Sequence, residues 1–308
     1  MEKAINAIFP IFFILILGFF LKNSKQKENF KEDFWIGLEK LLFNILFPAT
    51  LIGNIGASKI EQIVIFKMLL VLIVGIFIIF FICILIKKKL SINNEQFTSI
   101  LQGSIRYNTY IFLSIAGSFF NNEKLMLAAN LSAYMIIFMN IASIAMFNIY
   151  LNAGNIRLFI VLKNIFQSPM IIASILALLI REFNIEINQG ILNSLIFLGN
   201  ASFCIAYLII GSALRFNMKD NIIFILIANF LKLIIFPLIV FLLLKIIILP
   251  KDAHNICILF SAVPTAANAQ IMSRAFGGDY RLMSDIASVG LLSSLGTMFL
   301  IFWLFLQK

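Results

Sequence analysis

Ser261-Ala-Val-Pro264-Thr-Ala-Ala-Asn268-Ala-Gln270 is a short polar, breakable patch inside a very apolar sequence. Pro264 has no amide proton and its ring clashes with the preceding turn, so a helix entering the patch must break or kink there. The freed carbonyls, the Thr265 hydroxyl and the Asn268 and Gln270 amides can then line a binding site. Half-helix ends add partial charges suited to an ion or an anionic group. This is the chemistry of recognition, with no covalent step. The competing reading is an ordinary proline kink whose polar side chains pack between helices. Broken backbone at bilayer depth persists only where protein or a water-filled cavity satisfies it.

A second polar group comes earlier in the chain: Arg106, Asn108, Thr109 and Ser114, preceded by Gln102 and Ser104. A guanidinium deep in a membrane span wants a carboxylate or an anionic substrate; one near the span's edge reaches the headgroups instead. Lys232 falls near the middle of another apolar run, where an ammonium needs an internal partner. Asp285 and Glu39 are the nearest acids to offer one. An ion pair, a charge coupled to substrate, and simple snorkelling are the three readings of Lys232. Pro48, in Asn44-Ile-Leu-Phe-Pro48-Ala-Thr50, is a hinge candidate alongside Pro264. Gly199, Ser202 and Asn130 read as helix-packing residues.

The elements that must position these residues follow from composition. Of 308 residues, 62% are hydrophobic and 12% charged, and the mean hydropathy is +1.03. Soluble domains carry about 25% charged residues, so this is an all-α polytopic membrane protein in contact with the lipid bilayer. The net charge of +10 reflects lysines that hold loops to one side rather than a nucleic-acid surface. One histidine, three dispersed cysteines and no CxxC motif leave no metal site. No phosphate-binding loop, Ser/His/Asp grouping or paired intramembrane acid supports catalysis, and neither an enzyme nor a cofactor is expected. Residues 4–21 are followed directly by Lys22 with no small-residue cleavage site, so they read as a first span and not as a leader.

Ten membrane-length segments are placed at 4–21, 36–55, 62–86, 97–119, 124–148, 158–180, 189–212, 220–247, 253–273 and 282–306. Basic residues such as Lys87, Lys88, Lys89, Arg215, Lys219 and Arg274 concentrate in the odd-numbered loops. Those loops are expected in the cytoplasm of a plasma-membrane protein, with both termini outside. Ten spans divide into five-helix repeats at 1–150 and 151–308. Because five is odd, the second repeat enters the membrane inverted. The polar start of span four at Arg106–Thr109 then pairs with the Pro264–Asn268 patch of span nine.

Val263-Pro264-Thr265-Ala266-Ala267-Asn268, followed by Phe276-Gly277-Gly278-Asp279, resembles the C-terminal signature of the auxin efflux carrier family. Phe43-Asn44-Ile-Leu-Phe-Pro48-Ala49, Arg106-Tyr-Asn108-Thr109 and Lys232 through Pro237 resemble it as well. The resemblance implies an inverted five-plus-five fold similar to that of bile acid–sodium symporters. In that fold broken helices 4 and 9 cross between a panel (scaffold) domain and a core (transport) domain, each drawn from both repeats. It implies a compact carrier of small organic anions, like the family's bacterial malate or malonate permeases, with substrate near Asn108 and Asn268. Leu113-Ser114-Ile115 stands where many relatives have a proline, which bears on whether helix 4 is fully broken.

The function expected is secondary transport of a small mono- or dicarboxylate by alternating access. Asn108, Thr109, Pro264, Thr265, Asn268 and Gln270 would bind substrate, and Arg106, Lys232 and Asp285 would carry charge or coupling. Protons and sodium both stay open as coupling ion, and a second copy of the chain is a candidate partner. The alternatives are a sodium-coupled symporter of the bile acid carrier type and a non-transporting membrane sensor with the same fold.

Overall fold

Long apolar runs punctuated by lysines, prolines and polar turns satisfy their backbone groups internally by becoming helices. The computed structural model describes residues 2–23, 30–55, 61–119, 122–151, 169–212, 221–266 and 269–305, and every regular element there is helical. In chain order they are α1 (Glu2–Asn23), α2 (Glu32–Leu41), α3 (Phe47–Ile55), α4 (Gln62–Leu90), α5 (Asn94–Ile105), α6 (Thr109–Phe119) and α7 (Asn122–Leu151). There follow α8 (Pro169–Glu182), α9 (Gln189–Ser212), α10 (Ile222–Phe230), α11 (Phe236–Ile246), α12 (Lys251–Ala262), α13 (Ala269–Phe276) and α14 (Tyr280–Phe305). Among the described residues, five stretches are long and apolar enough to cross a bilayer: Glu32–Gly53, Gln62–Leu90, Lys124–Leu151, Gln189–Ser212 and Ile222–Ile246. The chain is an all-α, multi-pass membrane protein. The start of the expected sixth span lies outside the described residues.

Two of those stretches share one device. A π-helical turn at Leu42–Leu46 joins α2 to α3, and another at Leu231–Ile235 joins α10 to α11. The Phe47 amide reaches back to the Leu42 carbonyl and the Phe236 amide to that of Leu231. Each of those phenylalanines precedes a proline, Pro48 or Pro237. Proline can neither donate to the carbonyl four residues back nor avoid crowding it. Widening the preceding turn removes the conflict without ending the helix. The feature anticipated at Pro48 is therefore a local bulge in a continuous helical path.

The chain forms two compact units. The first comprises Met1–Glu61, Leu113–Ile137 and Leu162–Leu214. Its α1 packs on α9, α9 on α3, and α3 on α8. Glycines allow the α1–α9 approach: a Cβ on Gly18 would strike the backbone of Leu208, and one on Gly211 the backbone of Leu15. On α3, the Thr50 hydroxyl donates to the Leu46 carbonyl at 2.9 Å and meets the Ser202 hydroxyl of α9 at 3.0 Å. Arg181 on α8 donates to the Asn130 side chain on α7. Small and polar residues thus bring these helices together, as they must where lipid removes the hydrophobic drive.

The second unit comprises Gln62–Phe112, Phe138–Val161 and Arg215–Lys308. Here α5 packs on α4, α10 and α14, while α12 packs on α4, α11 and α14. All residues of α5 from Phe97 onward, and of α12 from Asn255 onward, are buried. The outer helices differ: Phe66, Phe77 and Phe81 on α4 and Ile223 and Leu226 on α10 are exposed, as a lipid-facing surface requires. A short turn links α13 to α14. Gly277 adopts φ +81° there, and a Cβ on Gly278 would press on Phe147 and Thr98 at 3.1 Å. Asp279 then caps α14 by accepting from the Leu282 amide at 3.0 Å.

The helix plan recurs along the chain. Both α5 and α12 have 12 residues, and both end in an extended residue: Arg106 at φ −68°, ψ 156° and Val263 at φ −67°, ψ 147°. The shift in numbering that carries Asn94 onto Lys251 also carries Glu32, where α2 starts, onto Gln189, where α9 starts. The same shift carries Asn122 of α7 to the residue just before α14.

Gly211→Val should overpack the α1–α9 seam and cost about 1–3 kcal/mol. Gly37→Ala on α2, with nothing within 4 Å of its Cβ, should be neutral or stabilising by about 0.5–1 kcal/mol. Thermal unfolding in detergent compares the two directly, and equal melting temperatures would refute the seam.

Candidate functional site

Two half-helices end side by side within the second unit. α12 stops because Pro264 has no amide to donate; the last one, from Val263, reaches the Leu259 carbonyl at 3.2 Å. α5 stops at Arg106 without any proline. Its break covers Arg106–Asn108, so Leu113 and Ile115, where the resemblance would put a proline, lie inside the next helix, α6. Asn108 makes that break. Its carboxamide oxygen accepts from the amides of Tyr110 at 3.1 Å and Ile111 at 3.2 Å, so it caps α6. Both membrane helices expected to break are broken, one by proline and one by an asparagine cap.

The two breaks are stitched together. The Asn108 amide donates to the Pro264 carbonyl at 2.8 Å, and the Thr265 hydroxyl donates to the Gln102 carbonyl at 3.4 Å. Gln102 donates from its side chain to the Ser273 hydroxyl of α13 at 3.0 Å. Tyr107 and Phe260 pack with ring centroids 4.0 Å apart, and Phe112 stands against both. This aromatic cluster excludes water from one flank of the crossing.

Arg106 lies in that crossing and not at the headgroups. It is 7% exposed, and one terminal nitrogen donates to the Ser143 hydroxyl and the Met272 sulfur, both at 3.0 Å. Among the described residues the guanidinium has no carboxylate partner. Arginine offers five donors, so two neutral acceptors leave most of its capacity open. Lys232 sits in the π-helical turn between α10 and α11 and is fully buried. Its ammonium donates to the Ser261 carbonyl at 3.2 Å and lies 4.6 Å from the Phe236 ring centroid and 6.0 Å from that of Phe260. The ion pair anticipated for Lys232 does not form among the described residues; a helix-end carbonyl and two ring faces replace it.

The remaining candidates are dispersed. Thr109 opens α6 and is half-buried, and Gln270 is half-buried on α13. Asp285 is half-buried on α14 and makes a contact of its own. Pro48 belongs to the first unit. Asn268 lies outside the described residues. No cue in the residue pattern pointed to Ser143, Met272, Ser273 or Ser261 as partners, because single serines and methionines in apolar helices are commonplace. Gln102 stood out only as one polar residue in a polar cluster.

Residues 154–303 match the family described as Membrane transport protein. Over that stretch, just under half of its length, the chain is similar to this family. The matched stretch includes Lys232 and the Pro264–Thr265 break, while Arg106 and Asn108 precede it. No curated protein matches the chain. That match agrees with the resemblance to auxin efflux carriers carried by the motifs.

Asn108→Ala should free the first turn of α6 at a cost of about 1 kcal/mol, whereas Asn108→Asp keeps the capping oxygen. Hydrogen exchange at the Tyr110 and Ile111 amides is the readout. Exchange should quicken several-fold in the alanine variant alone, and equal protection in both would remove Asn108 as the cap.

Proposed function

We propose that the protein is a secondary carrier for small organic anions, working by alternating access with the substrate site at the α5–α12 crossing. The observation that carries this is Arg106, a buried guanidinium at a helix break, hydrogen-bonded to a hydroxyl and a thioether with no carboxylate partner among the described residues. A buried charge is costly unless paired. A carboxylate substrate is the partner that would complete it, bidentately, as arginine favours. The Asn108 carboxamide oxygen is engaged by backbone, which leaves its nitrogen to donate to a ligand, with the Thr265 hydroxyl nearby. Thr109, Asn268 and Gln270 complete the proposed lining.

The second unit is the proposed moving part and the first the scaffold, each drawing on both halves of the chain. The repeated helix plan supports two five-helix repeats, and their odd number of helices would make them inverted. Ten spans, cytoplasmic odd loops, external termini and a plasma-membrane location complete the reading, on the strength of the basic loops. Uptake against the membrane potential would require a coupling ion, proton or sodium; export would not.

Reconstituted protein should exchange labelled malate or another small carboxylate in a liposome counterflow assay. Arg106→Gln should weaken apparent affinity at least about thirtyfold, corresponding to loss of about 2 kcal/mol of charge pairing. Asn268→Ala tests the undescribed end of the lining in the same assay. Absence of flux or binding across a panel of mono- and dicarboxylates, with folded protein, would end the organic-anion reading. Loss of flux with retained ligand binding would turn it to the sensor.

A further inference from the structure

A helix break in a membrane presents both signs of charge. Free amides at the start of a half-helix favour anions, and free carbonyls at the end of one favour cations, each end equivalent to about half an elementary charge. Here α5 and α12 both direct their carbonyl ends to the crossing. Without compensation that arrangement would suit a cation as readily as a carboxylate.

The two carbonyl ends are treated differently. At α5 the Gln102 carbonyl accepts from the Arg106 amide at 2.9 Å and the Thr265 hydroxyl at 3.4 Å, both neutral donors. At α12 the Ser261 carbonyl accepts from a full positive charge, the Lys232 ammonium, at 3.2 Å. Lys232 is fully buried and its ammonium lies over the faces of Phe236 and Phe260, so it does not reach out to a ligand. Phe260 in turn packs on Tyr107, the middle residue of the α5 break. The charge is thus held one layer behind the crossing, in surroundings of low dielectric where Coulomb energies are large.

We infer that Lys232 determines the sign of the ligand charge accepted at the crossing, by overcompensating the carbonyl end of α12 from behind the site. It is a positioning and specificity residue rather than a direct contact. The inference rests on the organic-anion reading above and adds the group that excludes cations from a site otherwise rich in carbonyls.

A residue acting through space affects a ligand in proportion to its charge, whereas one that merely holds the helices in place affects all ligands alike. Malonate and its monomethyl ester share a skeleton and differ by one charge. Their apparent affinities would be measured by counterflow in liposomes for the intact protein, Lys232→Met and Lys232→Gln, with thermal unfolding alongside. The glutamine variant can still donate to the Ser261 carbonyl, which keeps the comparison available if the methionine variant folds poorly. The expected result in either neutral variant is affinity about tenfold weaker for the ester and about a hundredfold weaker for malonate, because the Coulomb energy doubles with ligand charge. Equal losses for the two ligands, or no loss, would overturn the inference while leaving the organic-anion reading in place. If the intact protein accepts no carboxylate, that reading fails and the role of Lys232 falls with it.

Discussion

Everything in the second unit depends on one constraint: a backbone amide or carbonyl in a bilayer must find a partner within the protein. Two half-helices that stop in an apolar interior create a set of groups that no lipid can satisfy. The bond from the Asn108 amide to the Pro264 carbonyl pairs one break with the other. The Asn108 side chain, the Thr265 hydroxyl and the Lys232 ammonium take up further groups. The helices surrounding α5 and α12 are the wall that makes such pairing obligatory.

Two cations in this setting are as informative as the break. Replacing a buried charge by an apolar side chain of similar volume is often neutral or stabilising. Neither Arg106 nor Lys232 has a carboxylate partner among the described residues, yet both occupy the second unit with neutral hydrogen-bond partners. The first unit is built otherwise. Its contacts include glycine-mediated backbone approaches, the Thr50–Ser202 hydroxyl pair and the hydrogen bond from Arg181 to Asn130.

Much of this was legible in the sequence, unevenly and for physical reasons. Pro264 announced its break because proline acts through its own missing amide, whatever surrounds it. The break after α5 was harder to place, since no proline marks it in this chain, and an asparagine cap shows only when the amides it accepts from are known. Gly277-Gly278-Asp279 was recognised as a motif, but its three jobs of positive φ, close approach to Phe147 and capping of α14 became separable only in three dimensions. Pro48 suggested a hinge, whereas the chain absorbs it, like Pro237, in a widened turn before the proline. Lys232 was visible as an anomaly, but its partner was sought among acids. A carbonyl at a helix end has no letter in the sequence.

The equal length of α5 and α12 has an electrical consequence. Twelve residues of helix rise about 18 Å, a little over half of a hydrocarbon layer about 30 Å thick. A break at that depth divides the insulating layer into two comparable barriers. An ion resting there has crossed roughly half the transmembrane voltage drop, worth about 1 kcal/mol per elementary charge at 100 mV. Occupancy of the proposed site would thereby be tied to membrane voltage by geometry alone, before any helix moves.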